Sequence, residues 1–486
     1  MNRTPTVAIV GAGMSGLCMG IKLKRAGIDS FTIYEKAESV GGTWRDNTYP
    51  GLSCDVPSRF YQYSFELNPD WSQVFAPGPE IWGYFERAAD KYGLRPHLKT
   101  GTEVTGARYD GGRWTIETKG TGPFLSADFV VSACGVLHHP RLPEIEGMDS
   151  FAGASFHSAR WDHDVKLAGK RIAVIGTGST GVQIVTDLAG IAGRLAHFQR
   201  TPQWILPAPN RPYGRWERRL QRRFPWLGRF EYGLTQWALR HTFSRAVVRP
   251  GWQRRLIGWI CRMHLKTVRD PQLRHGLTPD YEPMCKRLVV STGFYSAMQR
   301  PNVELVREGI ERIDETGIVT SDGRHHDVDV IVYATGFDSH AYTRPIDVVG
   351  EGGIDLDDVW SEGPRAHRTV AIAGFPNFFM LMGPHSPVGN YSLVAIAEAQ
   401  ADFAMRWIRM WQDGRLATVA PSAEAMDRFN RDMRGAMPDT VWTTGCDSWY
   451  LGKDGKPEVW PWTPERHQAM LRDPDPREFE VTNSQV

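Results

Sequence analysis

Thr6-Val-Ala-Ile-Val10-Gly11-Ala-Gly13-Met14-Ser15-Gly16 stands near the start of the chain, and Lys170-Arg-Ile-Ala-Val-Ile175-Gly176-Thr177-Gly178-Ser179-Thr180-Gly181 repeats its pattern further along. Each is a short apolar run that ends in GxGxxG. Helical spacing over Leu17 to Arg25 follows the first, and then the β-like run Phe31-Thr-Ile-Tyr34. Strand, glycine turn, helix and strand make a βαβ unit. The first glycine allows the tight turn, the second lets backbone approach a pyrophosphate, and the third lets the helix close on the strand, so that its N–H groups and dipole meet the anion. Two such units predict an α/β protein with two Rossmann-like dinucleotide-binding domains.

The residue ending each unit tells the two sites apart. Glu35 stands 19 positions after Gly16, where a carboxylate accepts from both hydroxyls of an adenosine ribose and repels a 2′-phosphate. Arg200 stands 19 positions after Gly181. Its guanidinium suits a 2′-phosphate, and Thr201 adds a hydroxyl donor. FAD is therefore expected at the first site and NADPH at the second. A lone arginine is equally often a solvated surface charge; the matched offset favours the phosphate.

Composition removes other classes. The 486 residues, 41% hydrophobic, suffice for two to four domains, and a net charge of +2 gives no field for nucleic acid. Six cysteines are scattered without a CxxC pair, so neither a zinc site, nor any other metal site, nor a disulfide scaffold is expected, and the compartment reads as reducing. There is no leader-like start and no run of about 18 apolar residues, which makes a cytoplasmic enzyme without a transmembrane segment the expectation. Oligomeric state stays open. The pair His138-His139 is expected to be solvated or packed rather than metal-binding.

Three further motifs narrow the chemistry. Gly41-Gly42-Thr43-Trp44 and Tyr49-Pro-Gly51-Leu-Ser-Cys54-Asp55 fit [AG]GxWxxxx[FY]P[GM]xxxD. Phe151-Ala-Gly153-Ala-Ser-Phe-His157-Ser-Ala-Arg-Trp161-Asp162, between the two nucleotide units, fits FxGxxxHxxxW[PD]. Both resemble signatures of the type I (class B) Baeyer–Villiger monooxygenases, including the acetophenone and aryl-ketone type, flavoenzymes that insert one oxygen atom beside a ketone carbonyl. The motifs run from Gly11 to about Trp449, nearly the whole chain. The first strand begins near Thr6, so the extra N-terminal domain of some acetophenone-type relatives is not expected.

The resemblance implies roles. Gly11, Gly13, Met14, Ser15, Gly16, Glu35, Lys36, Gly42, Thr43, Trp44 and Asp55 would hold FAD. Gly176, Thr177, Gly178, Ser179, Thr180, Gly181, Arg200 and Thr201 would hold NADP, with Lys286 as a second 2′-phosphate contact. In Tyr281-Glu-Pro-Met-Cys285-Lys286-Arg287, Arg287 matches the family's catalytic cation, and Asp55 would hold it in place. Trp449 matches a tryptophan that meets the nicotinamide half, with Trp442, Trp460 and Trp462 as alternatives. Phe151, Gly153, His157, Trp161 and Asp162 would form a hinge. NADPH would reduce FAD, dioxygen would add to the reduced flavin as a C4a-peroxide, and a small hydrophobic ketone would leave as an ester or lactone, with thioether oxidation as a side activity. An N- or S-oxygenating flavin monooxygenase is the nearest rival. An NADPH:acceptor reductase or oxidase is a more distant one, and a non-enzymatic interaction protein comes last.

The expected organisation is FAD domain over 1–140, fingerprint linker over 141–165, NADPH domain over 166–204 and 281–328, helical insertion over 205–280, and FAD domain again over 329–486. In the insertion, tryptophan and arginine interleave with few acids. Such a surface could meet a membrane or a nucleic acid. The expectation is instead a lid whose tryptophans pack inward and whose arginines are solvated or offset by acids. Residues 472–486 are polar and expected to fray.

Overall fold

The computed structural model describes residues 3–120 and 125–483. Two five-stranded parallel sheets organise it. In the first, the strands run in the order Phe378–Met380, Phe129–Ser132, Val7–Val10, Phe31–Tyr34, Leu98–Lys99. In the second, the order is Val303–Val306, Arg194–Phe198, Arg171–Ile175, Val330–Tyr333, Ala154–His157. Val7–Val10 and Val330–Tyr333 are buried along their whole length. That is why they read as unbroken apolar runs, since parallel strands are covered on both faces.

Helix Met14–Arg25 follows the first strand of one sheet and Ser179–Leu188 follows Arg171–Ile175 of the other, so the two glycine turns occupy equivalent places. Gly78–Lys91 and Leu393–Gln412 pack with Met14–Arg25 around one apolar core. A second core surrounds Ser179–Leu188 and extends into the insertion, whose main helices are Arg215–Arg223, Pro225–Leu239 and Trp252–Leu265. Among the described residues, no helix is long and apolar enough to cross a membrane.

Four expectations are corrected. Val330–Tyr333 lies between Arg171–Ile175 and Ala154–His157 in the second sheet, so the boundary expected at 328/329 falls after this strand. Its parallel pairing outweighs the expected return to the first domain. The tail does not fray as a whole: Phe479–Thr482 pairs antiparallel with Thr418–Pro421, held by main-chain hydrogen bonds that its polar composition hides. Residues 484–486 lie outside the described part. Cys285 and Cys446, 161 residues apart, form a disulfide, a proximity that spacing cannot reveal; cysteine usage thus no longer argues for a reducing compartment. Finally, the insertion's tryptophans do not pack inward. Trp204 is buried, but Trp216, Trp226, Trp237, Trp252 and Trp259 are more than half exposed.

Candidate active site

A single cavity of about 1640 Å³ runs between the two glycine turns, larger than the roughly 300–1,000 Å³ usual for one small ligand. Gly11 sits at φ +103°, and a Cβ there would lie 2.6 Å from the Ala133 carbonyl oxygen. At Gly16 a Cβ would lie 1.9 Å from the Gly11 oxygen, and at Gly181 2.1 Å from the Gly176 oxygen. Among the described residues, no side chain caps either helix start. The orphan N–H groups therefore stay free for an anion. Of the residues assigned to the nucleotides, Gly16 and Gly181 alone do not line the cavity; they close helix on strand instead.

Glu35 is buried, and its two oxygens accept from Ala12 N at 2.9 Å and Ala37 N at 3.0 Å. Arg45 pairs with it at 3.2 Å, a contact the sequence reading missed although Arg45 adjoins Trp44. Trp44 Nε1 donates to the Tyr61 hydroxyl at 3.2 Å, and that hydroxyl lies 3.6 Å from Met14 Sδ. The two flavin-site motifs thus meet on a tyrosine that neither contains.

Across the cavity, Arg200, Thr201 and Lys286 share the lining. Burial holds the Lys286 ammonium below its usual pKa; Asp447 opposes this and the like charge of Arg200 adds to it. Two cations kept close enough to repel suit a dianionic phosphate.

Asp55 and Arg287 come together. Arg287 Nε lies 3.6 Å from Asp55 Oδ2, and Ser179 Oγ donates to the same oxygen at 3.2 Å. Burial raises the Asp55 pKa, and Arg287 pulls it back only in part. Burial would lower that of Arg287, but Asp55 together with Tyr450, Cys54 and Tyr61 outweighs it and the guanidinium is held more firmly charged. About a third of the Arg287 side chain is open, and the opening faces the cavity that it lines. Tyr450, buried, places its hydroxyl beside Arg287 and, among the described residues, makes no hydrogen bond of good geometry. Sequence reasoning passed over it for its neighbour Trp449. Trp449 lines the cavity, whereas Trp442, Trp460 and Trp462 do not.

The fingerprint is not in the cavity. His157 Nδ1 accepts from Ala159 N at 3.1 Å, so Nε2 carries the proton and donates to the Gly336 oxygen at 3.0 Å. Burial keeps its pKa low. Gly153 is pressed between Phe151 and the Asp329 oxygen, 2.5 and 2.6 Å from where a Cβ would stand. Trp161 packs edge-on against Phe156, and Asp162 closes a turn on Asp164 N. These residues fix the edge strand to the turn at Gly336, which does line the cavity. His138 and His139 also line it, held to the Tyr342 and Arg344 carbonyls at 3.0 and 2.8 Å. Cys54 is a free thiol pushed up to about 12 by burial, unsuited to redox exchange.

Residues 4–346 match the family described as flavin-binding monooxygenase-like. An uncharacterized monooxygenase of Mycobacterium tuberculosis is 58% identical over 479 residues, 99% of this chain and 96% of that one. A Baeyer–Villiger monooxygenase of Streptomyces coelicolor is 41% identical over 485 residues, 98% of this chain and 92% of its own. Among solved structures, the monooxygenase OTEMO in complex with FAD and NADP superposes with a TM-score of 0.88 at 28% identity, covering 99% of this chain and all of that one.

Proposed function

The chain belongs to the flavin-binding monooxygenase-like family and is an FAD- and NADP-dependent oxidoreductase of the Baeyer–Villiger type, and from that premise we propose that it converts a hydrophobic ketone to an ester or lactone. The Asp55–Arg287 pair, facing a cavity that joins both nucleotide turns, is the observation that carries this reading. The glycine cradles and uncapped helix starts fit the two pyrophosphates, Glu35 the flavin's adenosine ribose, and Arg200 with Lys286 the 2′-phosphate of NADPH. Held by these residues, the flavin would supply hydride acceptance from NADPH and activation of dioxygen for transfer of one oxygen atom.

The chain's own residues supply the rest. Arg287 sets a fixed positive charge where negative charge grows as the carbonyl is attacked, and such a charge counts most where water is excluded. Asp55, steadied by Ser179, aims it. Trp449 screens the cavity beside Asp447 and Lys286. Met382, Val388, Tyr391 and Leu393 form one apolar wall, in the same cluster as Met14 and Val56, which puts a lining for an apolar ketone next to Asp55. Thioethers, soft nucleophiles, are expected as secondary substrates.

Arg287→Ala tests the assignment. The variant should keep its flavin and be reduced by NADPH at the normal rate, while ester formation from an aryl ketone falls roughly 100-fold or more. Ester formation at the wild-type rate would remove Arg287 from the chemistry. NADPH oxidation by the wild type that yields hydrogen peroxide and never ester would identify an oxidase or reductase instead.

A further inference from the structure

We propose that the outward face of the helical insertion seats the protein on an anionic lipid surface without crossing it. Fifteen large apolar side chains are exposed among the described residues, and ten of them belong to the insertion. They follow helical period. On Pro225–Leu239 the exposed large apolar residues are Trp226, Phe230, Leu234 and Trp237, which at 100° per residue fall in one stripe. Trp252, Leu256 and Trp259 make the same stripe on Trp252–Leu265. Trp216 and Leu220 do so on Arg215–Arg223. A single exposed apolar residue needs no explanation; three helices of one insertion, each with an outward apolar stripe, mark an interaction surface.

The inner face of the insertion is already occupied. Tyr232 packs edge-on to Phe60 at 5.1 Å, Phe60 to Tyr391 at 5.5 Å, and Arg240 Nε donates to the Tyr391 hydroxyl at 2.9 Å. The helices are therefore anchored to the body, and the outward stripes are what remains to be covered.

Charge selects the occupant. Residues 204–275 hold 16 Lys and Arg against 3 Asp and Glu, in a chain whose net charge is only +2. Arg215, Arg219, Arg229, Arg255 and Arg262 are exposed and meet no carboxylate among the described residues. A second copy of the chain would bring an equally basic face against this one. A nucleic acid would meet the arginines but leave the leucines and phenylalanine of the stripes with no apolar partner. A lipid surface satisfies both, with tryptophan rings at the headgroup level, aliphatic side chains below, and arginines reaching back to phosphates. The surface is separate from the cofactor cavity, since none of its outward side chains lines it. Yet Tyr391, on which the inner face rests, does line the cavity, so a docked protein would hold its apolar wall close to the membrane, where hydrophobic ketones partition.

Vesicle co-sedimentation of the FAD-loaded full chain tests this. Vesicles of phosphatidylcholine with one third phosphatidylglycerol should bind it roughly tenfold or more better than phosphatidylcholine alone, with binding weakened by salt. The variant Trp226→Ser/Phe230→Ser/Trp237→Ser should lose binding while keeping flavin content and melting temperature. Wild-type protein that stays in the supernatant with both vesicles would overturn the proposal. So would a variant that binds as well as wild type, or a wild-type dimer that the same substitutions convert to monomer, which would assign the stripes to a second copy.

Discussion

The Asp55–Arg287 pair sets function against stability. Burial raises the Asp55 pKa above the ordinary carboxylate value of 3.8 and Arg287 offsets only part of that, so the pair is complete on the alkaline side of the raised pKa and is lost as pH falls through it. Ester formation should therefore have an acid limb above the usual carboxylate range, and Asp55→Asn should abolish that limb and lower the rate by roughly tenfold. The stability sign is the reverse. A carboxyl whose folded pKa is raised costs nothing below its unfolded pKa and carries its full penalty once pH exceeds the folded value, so Asp55→Asn should melt at or above the wild-type temperature at neutral pH. A pH–rate profile and a melting curve on one variant check both, and an acid limb that survives the substitution would detach it from Asp55. At this scale the sequence was informative where chemistry depends on short spacing, as for Gly11, Glu35 and Arg200. It was silent on Ser179 and Asp55, which touch across 124 residues, and on Tyr450, whose hydroxyl gains its interest only from the Arg287 brought beside it.

The C-terminal loop from Gly445 to Tyr450 illustrates what an element can owe to a distant partner. It contributes Asp447, Ser448 and Trp449 to the cavity, and it is tied through Cys446 to Cys285, the residue next to Lys286. Both cysteines are buried, which shields the link from reductant. Closing a loop of 161 residues restricts the unfolded chain, and the usual contribution is roughly 2–5 kcal/mol. Cys446→Ser should lower the melting temperature accordingly. Without the tether the loop spends less time seated, and the apparent affinity for NADPH falls by that seated fraction. The expected signature is a KM for NADPH raised several-fold with flavin content unchanged. Equal KM values for the wild type and the variant would show that packing alone holds the loop. The insertion makes a related point. Its i, i+3, i+4 apolar spacing reads identically whether the stripe faces a core or the outside, so periodicity supplied the helices and could not supply their orientation. The edge strand Ala154–His157 was hidden differently: the motif gave His157 a place in a hinge but no strand, and its two ring nitrogens are consumed in backbone bonds.

At the scale of the whole molecule, one helix of the NADPH domain carries a loop of the flavin domain. Ser179–Leu188 begins at the second glycine turn, and the flavin-domain loop from Tyr49 to Asp55 rests on its first two turns. Ser179 donates to Asp55, Thr180 reaches the Tyr49 hydroxyl at 3.4 Å, that hydroxyl donates to Gln183 Oε1 at 3.0 Å, and Gln183 Nε2 donates to the Ser53 carbonyl at 3.0 Å. The helix that meets the NADPH pyrophosphate in the proposed mechanism is thus also the one that positions the partner of Arg287. Both folds were legible in the sequence because each βαβ unit is local, while their docking was not, because it rests on polar pairs more than 120 residues apart. Gln183 is the centre of that docking and, among the described residues, makes its hydrogen bonds to Tyr49 and Ser53 rather than to Arg287 or Asp55. Gln183→Ala leaves a buried tyrosine hydroxyl and a carbonyl short of partners, at a cost of roughly 1–3 kcal/mol for each orphaned group. The interface should loosen before either sheet does. Flavin binding and reduction, which belong to single domains or their transient meeting, should stay within a few-fold of wild type, whereas holding Arg287 over the reacting atoms needs the docked arrangement throughout. Hydrogen peroxide released per NADPH consumed should therefore rise at saturating ketone, and ester yield should fall by the same amount. Unchanged coupling with a lowered melting temperature would mean that the contact only stabilises the fold, and that Arg287 is positioned from its own domain.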